Sequence, residues 1–204
     1  MRERVMPDEQ PAIPHDPAGC RALDLRVLSD MRCSAFDFEA YRSAADLKLR
    51  LGRVTDPDQG AAVTAYRWIF RIRTHISPSQ FAPVTEIGVS TDVAGYPCTP
   101  PRTWVLSMLV PWSPHFVRGA PVCIGPQSWA PGAGRCALGE LAIGIAHLLN
   151  WDEKGRCPGY AGWNGAAVRH HRAAYAGRPV DPSVRYPVLP GWLGTAVSAG
   201  RSPA

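Results

Sequence analysis

Lysine is almost missing from this chain: of 22 basic residues, only Lys48 and Lys154 are lysines. The arginines that make up the rest are scattered and do not form dense runs. A formal charge of +5 therefore does not build a nucleic-acid-binding tail, and GC-rich coding accounts for the bias. Long hydrophobic runs are missing too. No stretch approaches the ~18 apolar residues that cross a bilayer, and the opening MRERVMPDEQPAIPHDP has no apolar segment of the signal-peptide kind. These absences lead us to expect a soluble, cytoplasmic protein with no membrane and no nucleic-acid partner. The six cysteines at 20, 33, 98, 123, 136 and 157 form no Cys-x-x-Cys pair and no Cys/His cluster at zinc spacing. No metal is expected, and most of the thiols should be reduced packing residues. There is no internal repeat.

What is present is enough apolar residue for one core, 46% of 204 residues, interrupted by 21 prolines and 19 glycines. Residues 1–16 read as a polar, Pro-rich arm. Asp16 and Pro17 then have the form of an N-cap and first helical position. Leu23, Val27, Leu28 and Met31 follow at helical spacing, with Arg21, Arg26 and Arg32 off the stripe. Strand patterns come next. DLKLRLGRV alternates Leu47, Leu49 and Leu51 with charges, and DPDQG reads as the turn after it. AAVTAYRWIFRIRTHI alternates Tyr66, Trp68, Phe70 and Ile72 with Arg67, Ile69, Arg71 and Arg73. FAPVTEIGVST and TWVLSMLV are two more candidates. A helical period returns in ALGELAIGIAHLLN through Leu138, Leu141, Ala142, Ile145 and Leu149. It returns again in a helix capped by Asn164, with Val168, His171 and Tyr175 on one face and Gly177 at its end. Residues 178–204 form a Pro- and Gly-rich tail whose YPVLPGWLG is apolar enough to pack on the surface. The order of elements predicts an α+β domain over 17–177 with one antiparallel sheet.

Several motifs fall in a telling order. Tyr96-Pro97-Cys98-Thr99-Pro100-Pro101 follows the third strand pattern, and Ser113-Pro114-His115 precedes a cysteine by about ten residues. Gly119-Ala120-Pro121-Val122-Cys123-Ile124 leads into that cysteine, and Trp129-Ala130-Pro131 leads into the next helix. In this order and spacing the chain resembles the ubiquitin-conjugating enzyme family over roughly residues 17–177. The family's Tyr-Pro-x-x-Pro-Pro, His-Pro-Asn, Gly-x-x-Cys-Leu and Trp-Ser-Pro motifs correspond to the four runs. Ser113 stands for the usual His and His115 for the usual Asn, the approach to Cys123 is one residue longer, and the loop after it is shorter. No clear fourth helix follows Gly177. This divergence, with the GC-rich composition, is similar to the prokaryotic branch of the family. Members of that branch are typically encoded beside a ubiquitin-like protein, an activating enzyme and a metal-dependent deconjugating peptidase.

The resemblance implies a ubiquitin-conjugating-like fold: an N-terminal helix, a four-stranded meander, a Pro-rich active-site loop and two C-terminal helices. It implies a transferase that takes a ubiquitin-like protein from an activating enzyme as a thioester on Cys123. The group then passes to an amine or hydroxyl of a protein substrate, with no cofactor. The alternatives are an inactive member of the fold serving as a binding scaffold, and a cysteine hydrolase using Cys123 and His115, which lacks a third orienting group. A thiolate is the nucleophile this chemistry needs. His115, in the place of the family's Asn, is expected to donate to the oxyanion and to double as a base; its alternative role is to brace the loop by bonding a backbone carbonyl. Asp152, with Glu153, is a candidate for orienting or deprotonating the acceptor amine, or else a solvated loop acid. Cys98 and Cys136 read as structural, and Cys157 remains a competing thiol. Arg67, Arg71 and Arg73 either meet a partner on the open sheet face or are simply solvated. The first helix, with its arginines, is by resemblance the dock for the activating enzyme.

Overall fold

The first helix, α1 (Pro17–Asp30), begins as its cap predicts: the Asp16 carboxylate accepts from the Gly19 N–H at 2.8 Å. Its apolar stripe of Leu23, Val27, Leu28 and Met31 is buried. The computed structural model describes residues 16–123, 138–152 and 164–193. Within these, α1 is followed by β1 (Phe36–Tyr41), α2 (Ala44–Leu49), β2 (Arg53–Val54) and a 3-10 helix (Pro57–Ala62). Then come β3 (Ala65–Phe70), β4 (Thr74–His75), β5 (Phe81–Ala82), β6 (Thr85–Ser90), β7 (Arg102–Val105), α3 (Leu138–Leu149) and α4 (Gly165–Tyr175). The five-stranded sheet has the order β2-β1-β3-β6-β7 with every pair antiparallel, and β4-β5 is a separate hairpin. The mixed α+β architecture expected from the sequence is present.

Two strand expectations are corrected. DLKLRLGRV is not the first strand; Leu47 and Leu49 lie in α2. The Ser43 hydroxyl caps that helix, accepting from the Asp46 N–H at 3.1 Å and donating to the Asp46 carboxylate at 2.7 Å. Leu47 is buried, but Leu49 and Leu51 are 65% and 60% exposed, so the alternation marks no inner face. DPDQG is no hairpin turn either, since Asp56 caps the 3-10 helix instead. The real first strand is FDFEAY. Phe36, Phe38 and Ala40 point into the core, while Asp37 and Glu39 point out.

The inner face of the sheet is aromatic. Phe36 meets Trp68 edge-on at 6.1 Å, and Trp68 meets Phe70 at 6.3 Å. One hydrophobic cluster unites these rings with Val27 and Leu28 of α1 and Leu141, Ile145 and Leu149 of α3. α1 lies tightly on the 3-10 helix, where a side chain at Gly60 would run into the Ala22 backbone. The outer face is held by charge. Arg67 is hydrogen-bonded to both Glu39 and Glu86 and is only 14% exposed, so it is not the solvated or partner-seeking arginine expected. Arg71 approaches Asp37 at 3.5 Å, and the Arg73 guanidinium lies 3.8 Å over the Phe81 ring. The arginines on and just after α1 are engaged too. Arg21 donates to the Ala61 carbonyl, Arg32 pairs with Asp37, and Arg26 lies over Trp192. At Gly88 of β6 any side chain would overlap the Trp104 ring of β7, which rests flat across the glycine.

After α4, residues 178–193 run back over the domain instead of leaving it. Val180 N–H donates to the Asn150 carbonyl at the end of α3, and Val184, Tyr186, Leu189, Trp192 and Leu193 pack against the core. Among the described residues, no helix is long and apolar enough to cross a membrane.

Candidate active site

The segment that carries Cys123 leaves the edge of the sheet. Pro121 bridges Trp104 of β7, and the Val122 N–H donates to the Thr103 carbonyl at 3.1 Å. Val122 is buried, whereas the next residue, Cys123, is half-buried with a free thiol. Alternation along this short extended stretch thus turns Val122 inward and leaves the thiol at the rim. Gly119, at φ +75°, supplies the backbone turn that brings the stretch to the sheet edge.

His115 is held against this stretch by a two-way clamp. The Cys123 N–H donates to the His115 carbonyl at 3.0 Å, and His115 Nδ1 lies 3.2 Å from the Cys123 carbonyl. A carbonyl can only accept, so Nδ1 carries the proton. Burial, with the ring 9% exposed, pushes the imidazolium below the ordinary histidine range, and the Cys123 bond offsets this only in part. The resting ring is therefore a neutral imidazole with a hydrogen on Nδ1 and a lone pair on Nε2. In that tautomer the Nδ1 hydrogen is turned to the Cys123 carbonyl. The loop-bracing bond considered as the alternative is present. Ser113 supports the same loop: its hydroxyl oxygen accepts from the His115 N–H at 3.3 Å, and both residues are buried.

Asp152 is placed elsewhere. It follows the C-terminus of α3, where its carboxylate pairs with His147 Nδ1 at 3.0 Å and acts on Tyr186, whose ring lies 3.9 Å from His147. Burial first, and then the Asp152 charge, push the Tyr186 hydroxyl up to about 12. At 17% side-chain exposure, Asp152 is not a solvated loop acid; its carboxylate pairs at the end of α3. Glu153, Cys136, Cys157 and the Trp129-Ala130-Pro131 run lie outside the described residues. Cys98 is exposed, and Cys33, Cys98 and Cys123 are free thiols.

Two groups were not singled out from sequence. Asp24 of α1 is fully buried and accepts from the Tyr96 hydroxyl and, at 3.4 Å, from the Leu138 N–H that opens α3. Burial pushes its carboxyl up to about 7 against those two bonds. The signal available was an acid falling on the helical stripe, between Leu23 and Val27. The second group surrounds His75, which is 3% exposed. Its Nδ1 meets the Ser77 carbonyl at 2.9 Å, its Nε2 meets the Tyr175 hydroxyl at 2.7 Å, and Phe81, His170 and Trp112 surround the ring. The Trp112 N–H donates to the His75 carbonyl, so this cluster ties α4 and the β4-β5 hairpin to the residue just before Ser113. Among the described residues, no group of His, Cys, Asp and Glu could hold a metal ion.

No protein-family model, curated protein or solved structure matches the chain.

Proposed function

We propose that the chain is a ubiquitin-conjugating-type transferase working through a thioester on Cys123. The observation that carries this reading is the clamp, which fixes the backbone of one half-buried thiol at the rim of an antiparallel sheet, beside a neutral histidine. The order of α1, antiparallel strands, Pro-rich loop, Cys123 loop and α3 agrees with the ubiquitin-conjugating-like fold that the motifs imply. The Cys123 thiolate attacks the thioester carbonyl held by an activating enzyme, and that enzyme's thiol leaves. An amine or hydroxyl of a protein substrate then attacks the new thioester, loses its proton, and releases Cys123 as the leaving group. The chain supplies no cofactor chemistry in this scheme. His115 serves first to hold the loop. Its imidazole is suited to donate to the developing oxyanion or to take the nucleophile's proton. The second reading is an inactive scaffold of this fold, with Ser113 and His115 in place of the family's His and Asn as its signature.

The test uses the activating enzyme and ubiquitin-like protein encoded by neighbouring genes, with ATP. Cys123 charging predicts a reductant-sensitive mass addition that is lost in Cys123→Ala; no adduct under any condition leaves the scaffold. With the thioester preformed, His115→Gln should slow discharge to a free amine about tenfold or more. Unchanged discharge would limit His115 to bracing the loop.

A further inference from the structure

Strand β4 is only two residues long, and one of them is a histidine that is 3% exposed. A buried imidazole needs partners for both nitrogens, and His75 has them. Its Nδ1 lies 2.9 Å from the Ser77 carbonyl, which can only accept, so Nδ1 carries the hydrogen. Its Nε2 therefore accepts from the Tyr175 hydroxyl of α4, at 2.7 Å. Burial pushes the ring below the ordinary histidine range, which keeps it in this neutral form. The main chain of the same residue holds a second segment: the His75 carbonyl accepts from the Trp112 N–H at 2.6 Å. The Trp112 ring also reaches α4, with its centroid 5.3 Å from that of His170. Trp112, the residue just before Ser113, is thus gripped by both its main chain and its side chain.

From Tyr175 a run of hydrogen bonds and one peptide link reaches the residue that carries the thiol. Tyr175 donates to the His75 ring, and the Trp112 N–H donates to the His75 carbonyl. Ser113 follows Trp112; its hydroxyl accepts from the His115 N–H, and the His115 carbonyl accepts from the Cys123 N–H. Ser113, Pro114, His115 and Phe116 are all buried, so close packing makes this segment follow its root at Trp112. We propose that His75 is a positioning residue for Cys123: by joining α4 to the root of the 112–115 loop, it sets where the thiol stands at the sheet edge. This deepens, and rests on, the reading of Cys123 as the thioester site. His75 touches no reacting atom, and its effect passes through Trp112, Ser113 and His115. What the role demands of position 75 is an acceptor for the Tyr175 hydroxyl, not merely a ring of this size.

The probe is dipyridyl disulfide, a small thiol reagent, added to the full-length protein and read by mass on each cysteine-bearing peptide. Cys98, which is exposed, gives the reagent's unhindered rate, and Cys20, fully buried in α1, reports opening of the whole fold. Tyr175→Phe keeps the half-buried ring and removes only the hydroxyl. In that variant Cys123 should react about threefold faster or more, relative to Cys98, while Cys20 stays protected. His75→Phe should do the same, and the double variant should add nothing further. His75→Gln, whose carboxamide oxygen can accept from Tyr175, should return to within about twofold of the wild type. An unchanged Cys123 rate in Tyr175→Phe overturns the proposal even if His75→Phe does not fold. So does a Cys20 rate that rises in step with that of Cys123, or a His75→Gln as reactive as His75→Phe. A displaced thiol is easier for a small reagent to reach but worse placed for thioester exchange. Tyr175→Phe should therefore be charged about tenfold more slowly by the activating enzyme with ATP and the ubiquitin-like protein. Undiminished charging would make His75 a shield and overturn the positioning role. If the wild type takes no adduct on Cys123, the transferase reading falls, while the reagent rates still decide for or against His75.

Discussion

The two ends of α3 are fastened by opposite means. At its C-terminal end every fastening is a polar network with several members. Thr74 donates to the Leu149 carbonyl, Asn150 joins Asp181 and Tyr186, and His147 pairs with Asp152. At its N-terminal end a single carboxyl, Asp24, takes the Leu138 N–H and the Tyr96 hydroxyl with full burial. Asp152 has a histidine beside it. Asp24, with only neutral donors, is driven toward the protonated form because desolvation is not repaid by a charge. The N-terminal end of the helix therefore carries a carboxyl that titrates near neutrality, and this is the end joined to the Pro-rich loop of Tyr96.

The largest test of this contrast is pH. The folded protein holds the Asp24 proton more tightly than the unfolded chain does. The stability so gained is complete below about pH 4 and is lost as pH rises through about 7. The contribution is at most about 4 kcal/mol, at 1.36 kcal/mol per unit. In urea unfolding, Asp24→Asn should gain on the wild type by that order between pH 4 and 8; parallel pH profiles for the two proteins would dismiss Asp24 as the source. A smaller effect sharpens the other end. Asn150→Ala gives up the bonds to the Asp181 carbonyl and N–H and to the Tyr186 hydroxyl. It should cost about 3 kcal/mol with little dependence on pH, measured in the same way. A loss below ~0.5 kcal/mol, the scale of ordinary surface changes, would show that the network is not what fastens this end.

The helices were the most legible part of the sequence, because their caps and stripes are local. Asp16, Asn164 and the Leu138–Leu149 face all stand where the spacing placed them. The sheet was less so. Leu47, Leu49 and Leu51 alternate as a strand does, but a single Ser43 cap turns the run into a helix. FDFEAY, the true first strand, is too short to stand out beside it. Periodicity carries no information about which short run finds a strand partner, since pairing is decided by the rest of the chain. At the candidate site, the nearness of His115 to Cys123 followed from their spacing, but not the tautomer, which depends on one carbonyl acceptor. The place of Asp152 just after α3 was legible, but not its pairing: His147 is five residues back and Tyr186 is in the returning segment, and contacts of that kind leave no mark in local pattern.

The bare backbone at Gly88 reaches further than its own strand. Trp104 can lie flat only because that position has no side chain, and Trp104 is the residue that Pro121 bridges, two positions before the thiol. The location of the proposed nucleophile is thus partly set by a hydrogen atom on the neighbouring strand. A methyl group there would act as a wedge, lifting the indole and carrying the error along the bridge toward Cys123.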